Sequence, residues 1–275
     1  MPEPAKVLTI AGSDSGGAAG LQADLKTFAA LGAYGMSAVT VVTAQNSVGV
    51  QAAHQVPTEL VLQQIDAVLD DYGAAAIKSG FMGEATLIAA VAQRLRAWRE
   101  QRHFYLIVDP VLVNHRREAM FGPDVARAYC RRLLPLCDLV TPNWSEATLM
   151  GGQRVSTFSE ARAAAQALQQ MGAPNVLLTG WPEGSQVVDI FCEANGSTTV
   201  LRAPRFDTPH THGSGDTLSA AITALLAQGA PLEQAIHQAR AFTAAAIKGA
   251  QEWQMGAGHG PLNYWEAEWR SEIRD

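Results

Sequence analysis

The chain has 275 residues, 48% of them hydrophobic and only 17% charged, which supplies a packed core and excludes a disordered chain. A formal net charge of −6 argues against a nucleic-acid surface, because phosphate backbones are met by clustered Lys and Arg. Three cysteines without CxxC spacing, no basic leader and no run near eighteen apolar residues lead us to expect a soluble cytoplasmic protein with buried free thiols and no membrane contact.

Short β-rich runs alternate with longer helical patterns along the chain. Val7 to Ala11 reads as a buried strand and Leu21 to Leu31 as the helix after it. Met36 to Thr43 is a second strand, Glu59 to Leu69 a helix, Ala75 to Ile77 a short strand and Glu84 to Arg99 a long helix. Tyr105 to Val108 is a strand ending at Asp109-Pro110, and Asp124 to Leu134 is helical, with Arg127, Arg131 and Arg132 on a solvated face. Leu139 to Thr141 is a strand stopped by Pro142, and Ala161 to Met171 with Val176 to Leu178 repeats the helix-strand unit.

Val187 to Phe191 and Thr198 to Leu201, separated by Asn195-Gly196, predict a hairpin. Leu218 to Leu226 and Leu232 to Lys248 close the chain as two helices. This alternation predicts an α/β fold with three layers, a mostly parallel sheet between helices and a small hairpin. No linker or low-complexity tract divides it, so residues 1–275 read as one domain.

Ligands of open α/β sheets bind beyond the carboxyl ends of the strands. Polar residues gather at those predicted ends: Gly12-Ser13-Asp14, Gln45-Asn46, Lys78-Ser79-Gly80, Asp109, Asn143 and Thr179-Gly180. The seven histidines look scattered by comparison.

The run Thr211-His212-Gly213-Ser214-Gly215-Asp216 opens directly onto the Leu218 helix. The first N–H groups of a helix lack internal partners and point at whatever lies ahead. Gly213 and Gly215, flanking Ser214, let main chain approach an anion, so the run is a candidate phosphate cradle. Asp216 then sits in the first turn, where a carboxylate can take a proton from an attacking hydroxyl.

No GxxxxGK[ST] occurs, which excludes a P-loop. The run from Gly12 to Gly20 follows a strand but lacks GxGxxG spacing, and its glycines suit a small polar substrate close to the backbone. Asn143 with Glu146 three residues on is also the pattern of a capping box.

Ala11 to Phe28, reading AGSDSGGAAGLQADLKTF, resembles the opening of the bacterial hydroxymethylpyrimidine/phosphomethylpyrimidine kinases of thiamine biosynthesis, members of the ribokinase-like superfamily. The resemblance continues through Leu31 to Gly35, Thr43 to Asn46, Val108 to Val111, Thr141 to Asn143, Thr211 to Ala220 and Gly258 to Pro261. It implies a ribokinase-like fold and ATP-dependent phosphorylation of an aminopyrimidine's hydroxymethyl group, followed by a second phosphorylation of the monophosphate. It also implies a pyrimidine near Gly12, Asp24 and Gln45, of which Gln45 can offer donor and acceptor to a ring edge.

Asn143 and Glu146 match the superfamily's NxxE pattern, which implies Mg²⁺ and phosphates held through water, with Asp109 a further candidate there. Thr179 and Gly180 fall where the superfamily contacts ATP, and a homodimer is the expected assembly.

Certain positions depart from the resembled family. Asp216 stands where these kinases usually carry Cys; Asp is what sugar and pyridoxal kinases of the superfamily use there. The usual Ala-Lys after Val111-Leu112-Val113 is replaced by Asn114-His115-Arg116-Arg117-Glu118, so His115 or Arg116 would have to replace the lost cation. Lys-Gly-Gly is replaced by Thr179-Gly180-Trp181, and Ala18 stands for a common glycine. A pyridoxal or pyridoxine kinase, or a catalytically weak pyrimidine-binding regulator, are the competing readings.

Overall fold

A computed structural model of the chain describes residues 3–265. Strand β1 (Lys6–Ser13) is buried along nearly its whole length, as expected of a parallel strand covered on both sides. Helix α1 (Gly20–Ala30) and strand β2 (Tyr34–Asn46) follow. Then come β3 (Gly49–Gln55), α2 (Thr58–Asp71) and β4 (Ala76–Ser79). The strand order is β3-β2-β1-β4. β2 and β4 run parallel to β1, with Leu8 opposite Met36 on one side and Ile77 on the other. β3 returns antiparallel along β2.

β3 was not anticipated. Its residues are exposed from Val50 to His54, so no apolar face marks it, and the antiparallel ladder to β2 holds it in place.

Phe81–Arg205 is one of two compact units into which the chain sorts; the other runs up to Gly80 and resumes at Phe206. Both joints carry short punctuation, Ser79-Gly80 with Gly83 and Pro204 with Pro209, which looks in sequence like any other turn. The second unit holds α3 (Ala85–Arg99), β5 (Tyr105–Val108) and α4 (Pro123–Ala128). It continues with β6 (Leu139–Val140), α5 (Trp144–Gly151), α6 (Phe158–Gln170) and the strands β7 (Val176–Glu183), β8 (Gln186–Cys192) and β9 (Thr198–Pro204). β5, β6 and β7 are parallel neighbours, and β8 and β9 form the expected antiparallel hairpin beyond them.

The helix expected over Asp124 to Leu134 is interrupted. After Ala128 the backbone widens into a π-helical turn, Tyr129–Leu133, and tightens into a 3₁₀ turn, Leu134–Leu136. Pro135 cannot donate an α-helical hydrogen bond, which ends the regular spiral here. The three thiols, Cys130, Cys137 and Cys192, are free and buried as expected, and burial pushes the Cys137 thiol up to about 12.

Back in the first unit, α7 (Ser214–Ala227) and α8 (Leu232–Lys248) pack on each other, and α7 also packs on α1, β1 and β4. α7 is buried without interruption from Thr217 to Leu226. Such an all-round apolar helix belongs in a core. Among the described residues no helix is long and apolar enough to cross a membrane.

Candidate active site

α7 starts four residues before its apolar run, at Ser214, with Gly213 as its N-cap. The Ser214 N–H turns back to the Thr211 carbonyl, and the Thr217 N–H is the first to bond along the helix, to the Gly213 carbonyl. Between them the N–H groups of Gly215 and Asp216 donate to no partner among the described residues. Unpaired amides at a helix start are an anion site.

Gly213 is in the left-handed region, at φ 83, and a Cβ there would lie 2.0 Å from the Ala18 carbonyl oxygen. The loop can approach the N-terminal turn this closely only without a side chain.

Asp216 occupies the first turn of α7, with 14% of its side chain exposed. Its Oδ1 accepts from Lys78 Nζ at 3.1 Å. Lys78, at the carboxyl end of β4, is completely buried and also donates to Asp24 Oδ1 at 2.5 Å. Thr9 completes the cluster by donating to Asp24 Oδ2 at 2.6 Å. Burial pushes the Asp24 carboxyl up to about 7; Lys78 pulls it down and the Asp216 charge pushes it further up. A buried pair of this kind repays its desolvation only through close geometry, and removing one partner typically costs about 3–5 kcal/mol. Asp24, expected beside a pyrimidine, is thus wholly enclosed with both oxygens engaged by Thr9 and Lys78.

Gly12 lies near the end of β1, with its carbonyl directly beneath Gly20; a Cβ on Gly20 would come within 2.4 Å of it. The glycine run itself does a job the sequence reading missed. Asp14 folds its carboxylate onto the run, accepting from the N–H groups of Gly16, Ala18 and Ala19 at 2.8, 2.9 and 2.9 Å. The amides expected to admit a polar substrate are therefore filled by an internal anion.

Gln45 projects from the end of β2. Its Nε2 is 3.1 Å from His212 Nε2, and its backbone is clasped by Ser15, whose Oγ both accepts from the Gln45 N–H and donates to the Gln45 carbonyl. The histidines are less scattered than they looked. The rings of His212 and His259 lie 5.1 Å apart, and His259 Nε2 is 2.8 Å from the Thr211 hydroxyl.

The second unit carries its own cluster. Asn143 is the N-cap of α5 and accepts from the N–H groups of Ser145 and Glu146, while Glu146 accepts from the Asn143 N–H, a complete capping box. The other Glu146 oxygen accepts from the Leu112 N–H at 3.1 Å. Asp109, just past β5, is buried too. Burial first, and then the Asp109 charge, push Glu146 up to about 8. Tyr129, on the π-helical turn, is fully buried and held above its ordinary range by burial and then by these same two carboxylates.

Thr179 pairs with Asn143 as an isolated parallel bridge, and the Gly180 N–H donates to Asp189 Oδ1 at 2.7 Å. Gly180 has φ 78. His115 and Arg116 are both exposed; it is Arg117 whose guanidinium stands over the Trp144 ring, 5.5 Å from its centroid, with Glu146 as its electrostatic partner. Beside this cluster runs a groove of about 630 Å³, lined by Arg117, Trp144, Arg154 and Trp181 among others.

Thus Gly12, Asp24, Gln45, Gly213, Ser214, Gly215 and Asp216 belong to the first unit, and Asp109, Asn143, Glu146, Thr179 and Gly180 to the second. Sequence reasoning placed Asp14 and Lys78 at strand ends and His212 in the glycine loop without giving them a role, and it offered His115 or Arg116 rather than Arg117. Lys78 had a usable signal: a lysine closing a short apolar strand is buried only when paired.

The sequence matches the phosphomethylpyrimidine kinase family over residues 14–263. The chain belongs to that family. Its relatives include the hydroxymethylpyrimidine/phosphomethylpyrimidine kinase of Haemophilus influenzae, 41% identical over 269 residues, covering 96% of this chain and 98% of the relative. That of Rhizobium meliloti is 44% identical over 266 residues, with the same coverage of each chain. Among solved structures, an ADP complex of Bacillus subtilis pyridoxal kinase superposes with a TM-score of 0.88 at 35% identity, covering 96% of this chain and 98% of that one. The phosphomethylpyrimidine kinase of Clostridium difficile gives 0.78 at 33% identity, covering 88% and 99%. The fold is the ribokinase-like α/β arrangement that members of the phosphomethylpyrimidine kinase family and pyridoxal kinases share.

Proposed function

We propose that this chain is an ATP-dependent kinase that phosphorylates the hydroxymethyl group of an aminopyrimidine, and then the resulting monophosphate, in thiamine biosynthesis. The observation that carries the reading is Asp216 in the first turn of α7, beside the unpaired N–H groups of Gly215 and Asp216 itself. Asp216 takes the hydroxyl proton, and the amides, with Gly213 and Ser214 shaping the turn, stabilise charge on the transferred phosphoryl group. Gly12 and Gln45 orient the pyrimidine. Asn143, Thr179 and Gly180 hold nucleotide phosphates, and Arg117 replaces the cation that relatives carry as lysine.

Mg²⁺ fits the Asp109 and Glu146 region by its donor chemistry. Two buried carboxylates whose mutual repulsion raises Glu146 are stabilised by a cation, and Mg²⁺ prefers oxygen ligands while keeping several waters. Both Glu146 oxygens already accept an amide hydrogen bond, which suits contact through water. When bound, the ion neutralises phosphate charge.

A raised carboxyl means that the folded state holds a proton the unfolded chain has lost. That contribution to stability is complete below the ordinary value of 4.5 and is lost as pH rises through about 8. Metal-free protein is therefore expected to lose Tm across this window, and Glu146→Gln to flatten the loss. Mg²⁺ should raise Tm more at pH 8 than at pH 6. Scanning calorimetry checks all three, and an unchanged slope in Glu146→Gln rejects the assignment.

The functional test is turnover of ATP with hydroxymethylpyrimidine, its monophosphate or pyridoxal as acceptor. Phosphorylation of both pyrimidines supports the proposal. Turnover of pyridoxal alone favours the pyridoxal kinase reading, which the likeness to Bacillus subtilis pyridoxal kinase keeps in view. Binding without turnover favours a regulator. Gln45→Ala should raise the KM for the pyrimidine about tenfold, the worth of one to two hydrogen bonds, and leave the KM for ATP unchanged. Steady-state kinetics with each substrate varied in turn measures this.

A further inference from the structure

The proposed function gives Lys78 no role, yet the fold seals its ammonium in the core between two carboxylates: 2.5 Å from Asp24 on α1 and 3.1 Å from Asp216 on α7. We infer that Lys78 and Asp24 act as a fixed ion pair that positions Asp216 and sets how readily it takes the substrate's proton. This deepens the reading of Asp216 as the base and rests on it.

Charge balance across the three groups decides how Asp216 behaves. Before reaction the three groups sum to one negative charge. In the reaction the substrate O–H bond breaks and its proton passes to an Asp216 oxygen. The freed oxygen forms its bond to the γ-phosphorus of ATP, and the bond from that phosphorus to the bridging oxygen breaks as ADP leaves. The three groups are then neutral overall, and Lys78 keeps its partner in Asp24.

Were Asp24 absent, protonating Asp216 would strand a buried cation without a counter-charge, which is costly. Asp216 would then hold its negative charge and accept the proton poorly. Were Lys78 absent, two neighbouring carboxylates would face each other, and one would keep a proton near neutral pH. Asp24 already stands at about 7 because burial and the Asp216 charge outweigh Lys78.

Other groups face this cluster from the elements around it. From β1 it is the Thr9 hydroxyl, which donates to Asp24. From the C-terminal segment it is the Tyr264 hydroxyl, 3.3 Å from Thr217 Oγ1, with Lys26 above its ring. The residues α8 buries are uncharged, among them Ile236, Ala239 and Phe242, and His212 on the loop before α7 is turned to Gln45 and Asp14.

The test is the pH profile of kcat from pH 5 to 9, with saturating ATP, Mg²⁺ and hydroxymethylpyrimidine, for wild type, Lys78→Met, Asp24→Asn and the double variant. Folding is checked by circular dichroism melts. The acid limb should lie lowest in Asp24→Asn, then wild type, then the double variant, and highest in Lys78→Met, there displaced by about one pH unit or more. At pH 7 each single variant should lose at least about tenfold in kcat with the KM for ATP little changed, and the loss in the double should be about tenfold smaller than the product of the two single losses.

Coincident acid limbs in folded variants, or strictly multiplicative losses, overturn the inference. If either single variant fails to fold, the double decides: a limb above wild type supports the coupling, and one coincident with wild type overturns it. Failure of the underlying reading looks different, because Asp216→Asn would then keep its kcat.

Discussion

Replacing Asp216 with Asn is expected to cut kcat by about 10²–10⁴-fold, the range for loss of a positioned general base, with little change in the KM of either substrate. Asn is nearly isosteric, and its side-chain carbonyl still accepts from Lys78, so the cluster that Lys78 holds within 3.1 Å of Asp216 stays closed. The amides of Gly215 and residue 216 remain, which keeps the anion site. What is lost is the capacity to take a proton as the alcohol attacks. Initial rates at saturating substrates, with melting curves as a folding control, measure the effect. A variant retaining more than about a tenth of wild-type kcat rejects the role, since general base catalysis is worth more than that.

Gly213→Ala is expected to damage the protein by a different route. The new methyl group would sit 2.0 Å from the Ala18 carbonyl oxygen, and the contact is with backbone, so no side chain can swing aside. The left-handed conformation adds about 1–2 kcal/mol for any residue with a Cβ. With the clash included, a loss of roughly 3 kcal/mol and a fall in Tm of about 6–12 °C are expected for a chain of this size. Activity should fall even at temperatures where the variant stays folded, because relieving the clash moves the start of α7 and the two amides with it. Calorimetry and kcat at 20 °C check the two parts separately. Gly215→Ala is the useful contrast: an added Cβ there meets nothing within 4 Å, so its Tm should stay near wild type. A Gly213→Ala protein as stable as Gly215→Ala contradicts the packing argument.

Legibility followed burial pattern. The Leu232 to Lys248 helix and the Tyr105 to Val108 strand were read with the boundaries the structure has, the helix from its period against a core and the strand from an unbroken apolar run. The capping box at Asn143 and Glu146 was equally plain, being a matter of four adjacent residues. β3 was invisible because its exposed residues carry no apolar face. The break in the helix after Ala128 was missed although Pro135 stands in the sequence. The glycine run was recognised, but its occupant was not: an aspartate that folds back onto its own turn looks the same in sequence as one awaiting a ligand.

Order along the chain was enough to give alternating strands and helices, a two-glycine loop opening a helix with a carboxylate in its first turn, and polar residues at strand ends. These are short-range matters, governed by periodicity and by caps a few residues long. Partners for the buried charges came only with three-dimensional packing: Lys78 meets Asp24 across 54 positions and Asp216 across 138, and Gln45 meets His212 across 167. A buried ion is tolerable only against a counter-charge, and no local rule says which distant helix will bring one.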